Sequence, residues 1–264
     1  MSTQLDTLRA FVAARPAPRP RGQGHVIAVA GGKGGIGTST LATLLAWAAA
    51  RQGRETLLVD AAGGAGSLHQ VLGVAPHGDP IDAPPTALRA GLTLIAAASP
   101  VGAGPGERTA RFRRIAGTFA DHDLVVVDAG NTMDGVLLTA AAAGGLIAVT
   151  ALDRVAIAAA YALLKVAGHR FPTLPMGVLA NRCTEADGAA AFERIGTGAL
   201  RFLGHAVGYA GAIPEDDTLR TAADDGRLFD GAIHGTAAAA ADAFVARLLH
   251  NTGSRSIPYS LSRV

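Results

Sequence analysis

The sequence predicts an α/β fold, a three-layer, doubly wound and mostly parallel sheet with helices on both faces. Short apolar runs alternate with helical segments along most of the 264 residues. Most of these runs are apolar throughout, which is typical of strands that are covered on both faces. The first run leads through a glycine-rich turn directly into a helical segment. This order favours βα units and therefore a parallel sheet.

Composition and charge agree with a globular protein. Apolar residues make up 49% of the chain and charged residues only 17%, so a sizeable core is expected. The formal net charge of +2 is too small to indicate nucleic acid binding by itself. The single cysteine, Cys183, excludes an internal disulfide. We predict a cytoplasmic protein, with attachment at the inner face of the membrane as an open alternative.

The N-terminus predicts a short amphipathic helix on a tether. Residues 1–14 place Leu5, Leu8 and Val12 at helical spacing. Residues 15–24 form a linker rich in proline, arginine and glycine, which cannot continue the helix. The helix either packs back on its own domain or docks on a partner.

The main domain is predicted over residues 25–250, with seven or eight strands in one sheet, and residues 251–264 are predicted to be a frayed tail. The uncharged run Gly135–Leu152 predicts a buried helix followed by a buried strand rather than a membrane span, because Gly144 and Gly145 interrupt it. The predicted strands are His25–Ala30, Thr56–Asp60, Leu92–Ala96, Leu124–Asp128, Leu146–Thr150, Met176–Asn181 and Val207–Ile213.

The glycine-rich turn after the first strand predicts a phosphate-binding loop. Its glycines, Gly32 and Gly37, are spaced so that backbone N–H groups face a phosphate at the start of a helix. Ser39 supplies the hydroxyl that normally coordinates Mg²⁺. Such loops carry lysine where this chain has Thr38. The chain's basic residues are almost all arginine, so a mere exchange of lysine for arginine would have left a charge at position 38.

The stretch GGKGGIGTST (Gly31–Thr40) resembles the deviant phosphate loop of the MinD/ParA ATPases, a P-loop NTPase family. The resemblance runs over about residues 25–230 and implies ATP or ADP with Mg²⁺ as ligands. In that family the early lysine, here Lys33, reaches across a homodimer interface to the partner's nucleotide. The resemblance implies nucleotide contacts from Gly32, Lys33, Gly34, Gly35, Ile36, Gly37, Thr38, Ser39 and Thr40.

Two later segments carry the family's metal-side aspartates. TLLVDAAGG matches at Asp60, which implies that Asp60 holds Mg²⁺ through water, together with Ser39. The family's next aspartate, which orients the attacking water, is Ala62 here. HDLVVVDAGNT matches at Asp128, a second Mg²⁺-side carboxylate through water. Asp128 is alternatively a carboxylate that caps the following turn.

Two further segments imply a base site. LANRC matches at Asn181 and Arg182, and AIPEDDTLR matches at Pro214 and Glu215, in the loop that closes over the base. The chain is most similar to the branch of flagellar-number regulators, FlhG/FleN. That branch begins with a DQAxxLR helix whose glutamine helps to activate a partner GTPase, FlhF. The stretch TQLDTLR resembles it and implies partner contacts from Gln4, Leu5, Leu8 and Arg9.

The two departures from the family pattern predict weakened binding and weak or absent hydrolysis. A hydrogen bond to a charged group is worth about 1.5–3 kcal/mol, so Thr38 lowers nucleotide affinity by about one to two decades. Hydrolysis needs charge neutralisation and a positioned water. Thr38 removes one contribution and Ala62 the other, although slow activity remains open if Lys33 serves its own phosphates.

Three functions remain open from the sequence. The first is an ATP-gated dimeric switch, and the second is a pseudo-ATPase adaptor whose N-terminal helix activates a partner GTPase. The third is ParA-like nonspecific DNA binding through Arg108, Arg111, Arg113 and Arg114, for which a solvated helix face is the preferred interpretation. The segment Thr236–Asn251 is interpreted as the last helix packed on the sheet, with weak membrane affinity at most.

Overall fold

The structure is a computed structural model that describes residues 24–62, 67–74, 85–97, 104–203, 206–229 and 233–250. The predicted helix over residues 1–14, with Gln4, Leu5, Leu8 and Arg9, lies outside the described residues. The same holds for the linker except Gly24 and for the tail over residues 251–264.

Eight strands form one sheet in the order β3-β4-β2-β5-β1-β6-β7-β8. All neighbouring strands are parallel except β3, which pairs antiparallel with β4 at the edge. The predicted α/β fold is therefore confirmed, and so is each of the predicted strands. The strands are β1 His25–Gly31, β2 Thr56–Asp60, β3 Thr86–Arg89, β4 Leu92–Ala96, β5 Leu124–Gly130, β6 Gly145–Thr150, β7 Met176–Asn181 and β8 Gly208–Ile213.

Helices cover both faces of this sheet. Helices α1 and α8 pack together on one face, and α5 and α6 pack together on the other. A 3₁₀ turn spans Phe119–Asp121. The helices are α1 Thr38–Arg51, α2 Ser67–Leu72, α3 Pro105–Ala116, α4 Met133–Ala140, α5 Arg154–Arg170, α6 Glu185–Leu203, α7 Asp217–Asp224 and α8 Gly235–His250.

Strand β1 shows why its sequence is apolar throughout. Ile27 and Val29 face the layer that contains α1 and α8, whereas Ala28 and Ala30 face the layer that contains α5 and α6. Successive side chains of a strand point to opposite faces, so a central strand between two helical layers needs apolar residues at every position. Alanines on the second face leave room for α5 to approach the sheet closely.

The run Gly135–Leu152 is confirmed as a helix followed by a strand, since it contains most of α4 and all of β6. Among the described residues, no helix has the length and apolar character needed to cross a bilayer. Helix α8 is packed on the core as predicted, with Phe244, Leu248 and Leu249 all buried.

The arginine-rich segment differs from the prediction of a solvated stripe. Arg113 and Arg114 on α3 are exposed, but Arg111 is only 4% exposed, and its Nη2 donates to the carbonyl oxygen of Ala96 at 3.1 Å. Arg111 points inward because it bonds the end of β4, beside the buried Phe112. The three-residue spacing therefore does not give a continuous basic face.

Candidate functional site

The glycine-rich turn joins β1 to α1 at the C-terminal edge of the sheet. Strand β1 ends at Gly31, and α1 begins at Thr38, as the sequence predicts for a phosphate loop. The strand lies between β5 and β6 near the middle of the sheet. Ligands of open α/β sheets bind at this edge, where neighbouring connections run in different directions.

The backbone of the loop has the conformation that a phosphate cradle requires. Gly35 and Gly37 have φ angles of 77° and 86°, in the left-handed region that favours glycine. Gly37 is the N-cap residue of α1, and no side chain caps this helix. The first-turn N–H groups and the helix dipole therefore favour an anion here. Gly34 and Gly35 are exposed, so the apex of the loop is open.

Thr38 fills the position of the missing lysine with a short neutral side chain. It is 9% exposed, and its hydroxyl lies so close to Gly31 that a Cβ on this glycine would overlap it. The side chain is thus folded back against the end of β1. Ser39, the predicted Mg²⁺ ligand, follows at the helix start and is half-buried, as is Thr40.

Lys33 is held by its own chain. Its Nζ donates to both carboxylate oxygens of Asp153, at 3.0 and 3.1 Å. Asp153 is also the N-cap of α5, where its Oδ1 accepts from the N–H of Ala156 at 2.9 Å. Two hydrogen bonds hold the pKa of Asp153 below its usual value. The bond from the Ala156 N–H has the larger effect, and the bond from Lys33 has the next largest. The Asp153 carboxylate is therefore ionised at neutral pH.

The two predicted metal-side carboxylates lie next to each other. Asp60 and Asp128 are directly paired in the register of β2 and β5, and both are buried, at 2% and 0% exposure. The Asp128 Oδ1 accepts from the N–H of Gly130 at 3.0 Å. The alternative role of Asp128, capping the next turn, is therefore present, and it leaves the placement beside Asp60 unchanged.

The Asp60 carboxylate is fixed by contacts from the following segment. Its Oδ1 accepts from the N–H of Ala62 at 3.3 Å, and its Oδ2 accepts from the N–H of Leu68 at 3.4 Å. His69 Nδ1 lies 3.5 Å from the Asp60 Oδ2, and this contact was not predicted from the sequence. His69 lies in the first turn of the short helix α2, and only the fold shows that this helix meets Asp60.

These residues fit a magnesium ion that is held together with phosphates. Mg²⁺ in nucleotide sites keeps several waters and uses one or two carboxylates besides the phosphate oxygens. Asp60, Asp128 and the Ser39 hydroxyl offer hard oxygen donors of this kind. In the described part of the chain, no group of three or more His, Cys, Asp or Glu could hold a metal by itself. A magnesium ion bound together with a nucleotide does not need such a group, because phosphate oxygens and water complete its ligands.

Ala62 lies against the tight turn at the end of β5. Gly130 has a φ of 66°, and a Cβ built on it would lie 3.0 Å from the Cα and Cβ of Ala62. The next residue, Asn131, was not among the predicted site residues. Its Nδ2 would lie 3.2 Å from a Cβ on Gly34, at the loop apex. An exposed asparagine in a turn gives no signal in one sequence, so only the fold identifies this neighbour.

The four predicted base-site residues lie around one cavity beside the start of α1. Asn181, Arg182, Pro214 and Glu215 line it together with residues of α7. Arg182 has a φ of 59°, in the left-handed region that is uncommon for a residue with a side chain. Strained backbone of this kind is concentrated at ligand sites.

Asn181 has a role that the sequence does not reveal. Its Nδ2 donates to the carbonyl oxygen of Ile36 at 2.7 Å, and its Oδ1 accepts from the N–H of Arg182 at 3.0 Å. The side chain is only 6% exposed. Asn181 therefore braces the phosphate loop from the base cavity, so the two parts of the site are mechanically joined.

Comparison with known proteins agrees with this arrangement. Residues 27–229 match the CobQ/CobB/MinD/ParA nucleotide binding domain. The antiactivator FleN of Pseudomonas aeruginosa is 31% identical over 214 residues, which cover 75% of this chain and 76% of FleN.

Solved structures share the fold at low sequence identity. The cell division ATPase MinD of Pyrococcus furiosus has a TM-score of 0.69 and 18% identity, over 88% of this chain and 100% of that one. The septum site-determining protein MinD of Pyrococcus horikoshii, solved with Mg-ADP, has a TM-score of 0.68 and 19% identity, over 88% and 98%. The chain belongs to the CobQ/CobB/MinD/ParA family of nucleotide-binding domains, as a MinD/ParA-type protein similar to FlhG and FleN.

Proposed function

We propose that this protein is a regulatory switch that binds ATP or ADP with Mg²⁺, dimerises when ATP is bound, and hydrolyses ATP weakly or not at all. The observation that carries the proposal is that the phosphate-binding loop is intact, whereas the two positions most closely tied to hydrolysis have neutral side chains. Backbone donors, buried carboxylates and a base cavity all remain, whereas Thr38 and Ala62 carry no charge.

The cradle explains how binding survives. The open N–H groups at the start of α1 take phosphate oxygens, and Ser39 with Asp60 and Asp128 would hold the magnesium ion. When bound, Mg²⁺ neutralises phosphate charge. Asn181 transmits the presence of a base to the loop through its bond to Ile36. Thr38 donates at most one neutral hydrogen bond, which accounts for the weaker affinity that we expect.

The same site explains slow turnover. Transfer of the terminal phosphoryl group requires stabilisation of negative charge and an oriented water. Neither the Thr38 hydroxyl nor the Ala62 methyl group supplies these. Bound ATP is therefore lost mainly by dissociation rather than by hydrolysis.

The dimer is supported by the position of Lys33 and by its apolar surroundings. Lys33 lies at the open loop apex in an exposed ion pair with Asp153, a contact that must open for Lys33 to reach a partner's phosphates. Leu152 and Val155 flank Asp153 and are 41% and 65% exposed, and Met133 at the start of α4 is 37% exposed. A second copy of the chain would cover this surface.

The relation to FleN supports a flagellar role. FleN is named an antiactivator, which agrees with a regulatory role. We infer that this chain regulates flagellar number or placement from the cytoplasm or the inner face of the membrane, with weak or conditional membrane association. An FlhF-like GTPase is the proposed partner of Gln4, Leu5, Leu8 and Arg9.

A second candidate is the pseudo-ATPase adaptor that stays in one state. Thr38 and Ala62 favour it, because a site without turnover has no hydrolytic return step. The ParA-like DNA-binding alternative loses its main support, since buried Arg111 interrupts the basic face of α3.

Calorimetric titration with Mg²⁺ and either ADP or ATP, combined with a phosphate-release assay, tests the proposed function. We expect saturable binding of both nucleotides, about one to two decades weaker than in relatives with the lysine, and phosphate release near background. Absence of binding would contradict the switch and favour the adaptor. Turnover like that of ordinary family members would contradict the roles given to Thr38 and Ala62.

A further inference from the structure

We propose that Asn131 contacts the terminal phosphate of a bound nucleoside triphosphate and makes the protein prefer triphosphate to diphosphate. The inference rests on the proposed function, because it requires a nucleotide on the loop. It assigns to Asn131 a role that neither the phosphate loop nor the two carboxylates supply.

The order of the strands gives the direction of the nucleotide along the sheet edge. The base cavity lies at the ends of β7 and β8, where Asn181 and Pro214 are found. The carboxylates Asp60 and Asp128 lie at the ends of β2 and β5, on the other side of β1. A nucleotide with its base in the cavity and its phosphates on the loop therefore points its terminal phosphate toward β5.

Asn131 follows β5 at this place, and the chain on both sides of it is fixed. Gly130 reverses the chain with a φ of 66°, and its N–H is bonded to the Asp128 Oδ1. Thr132 is the N-cap of α4, and its Oγ1 accepts from the N–H of Gly135 at 3.3 Å. The position of Asn131 between these two bonded turns is therefore set by the fold.

The side chain of Asn131 lies over the loop and is not committed elsewhere. Its Nδ2 would be 3.2 Å from a Cβ on Gly34, and both residues are exposed. Within the described ranges, the Asn131 amide makes no hydrogen bond to another residue. A side chain on Gly34 would press on this amide, so the glycine keeps the space between the loop and Asn131 open.

An amide at this point distinguishes ligands without catalysing hydrolysis. Its N–H₂ group donates to a phosphate oxygen, but an amide does not take up a proton from water as a carboxylate does. A hydrogen bond to a charged oxygen changes affinity by about tenfold to a hundredfold. ADP has no oxygen at this place, so the contact favours ATP alone. Because Thr38 supplies no positive charge, the hydrogen bond from Asn131 is a larger share of the contacts to the terminal phosphate.

The test uses the full-length protein and calorimetry with Mg²⁺ and either ADP or adenylyl imidodiphosphate, a triphosphate analogue that is not hydrolysed. We expect Asn131→Ala to weaken binding of the analogue about tenfold or more and to leave ADP binding unchanged. Retained ADP binding shows that the variant is folded. Asp134→Asn is the matched control, an exposed residue in the first turn of α4, and should leave both affinities unchanged.

Two results would overturn the inference. If Asn131→Ala left the analogue's affinity unchanged, or weakened both ligands equally, Asn131 would not recognise the terminal phosphate, whereas the proposed function would stand. If the unaltered protein bound neither ligand, the proposed function would fail and the inference with it. Nucleotide binding by the unaltered protein therefore distinguishes failure of the proposed function from failure of the inference about Asn131.

Discussion

Thr38 and Ala62 are the residues at which the site lacks charge, and restoring both tests whether the rest of the machinery is intact. The residue that faces Ala62 is Gly130, so an aspartate at position 62 meets no side chain from position 130. We expect Thr38→Lys with Ala62→Asp to raise phosphate release more than the two single changes combined, because charge stabilisation and water positioning act on one transition state. A phosphate-release assay measures this.

The control for that experiment is Thr38→Met with Ala62→Asn, which adds similar volume without charge. It should remain at background. Additive single effects, or equal activity of the control, would show that these two positions do not limit turnover in the way described.

A second prediction at this scale concerns Asp153. Asparagine is as good an N-cap as aspartate, so Asp153→Asn keeps the start of α5 and removes only the charge that holds Lys33. Because exposed ion pairs are weak, we expect ATP-dependent dimerisation to strengthen by at most a few fold. Sedimentation equilibrium measures this shift.

Glu193→Gln makes the same change in net charge on an exposed position of α6 and is the control. It should leave the dimer unchanged. Weaker dimerisation of Asp153→Asn would mean that the carboxylate acts within the dimer rather than holding Lys33 in the monomer.

At the scale of elements, the phosphate loop depends on close packing against α5. A Cβ on Gly32 would overlap the backbone of Ala159, which cannot move without displacing the helix. We expect Gly32→Ala to destabilise the protein by about 1–3 kcal/mol, as overpacking does elsewhere, and to impair nucleotide binding. Urea unfolding gives the free energy of unfolding.

Gly106→Ala in α3 is the matched control, since nothing lies within 4 Å of its added Cβ. It should be neutral or stabilise the protein by up to about 1 kcal/mol. Equal stability of Gly32→Ala and the unaltered protein would show that the loop and α5 are not tightly coupled.

The sequence predicted the parallel strands well because most of them are continuous apolar runs, which are typical of strands covered on both faces. Strand β3 was missed, since Thr86–Arg89 is short, alternates in burial and becomes a strand only by pairing with β4 at the edge. The loop and both carboxylates were found by motif. Contacts such as Lys33 with Asp153, 120 residues apart, depend on the fold and leave no local signal.

In the whole molecule, the nucleotide-binding domain is proposed to act on a partner through its N-terminal segment. We predict that deleting residues 1–14 abolishes association with an FlhF-like GTPase and leaves nucleotide binding unchanged. The reason is that Leu5, Leu8 and Val12 are proposed to form the apolar stripe that contacts this partner. Gln4→Ala should retain association but lose stimulation of the GTPase. Pull-down and GTPase assays measure these effects. If the protein without residues 1–14 stimulated the GTPase fully, the proposed partner contact would be wrong, and the predicted helix would have only a structural role.

ATP is proposed to gate a dimer without being consumed. Sedimentation velocity of the full-length protein with Mg²⁺ and ATP, repeated over several hours beside samples with ADP and without nucleotide, tests it most directly. We expect a dimer with ATP that persists throughout, and a monomer in the other two samples. The same mass in all three samples, or a dimer that decays as ATP is consumed, would contradict it.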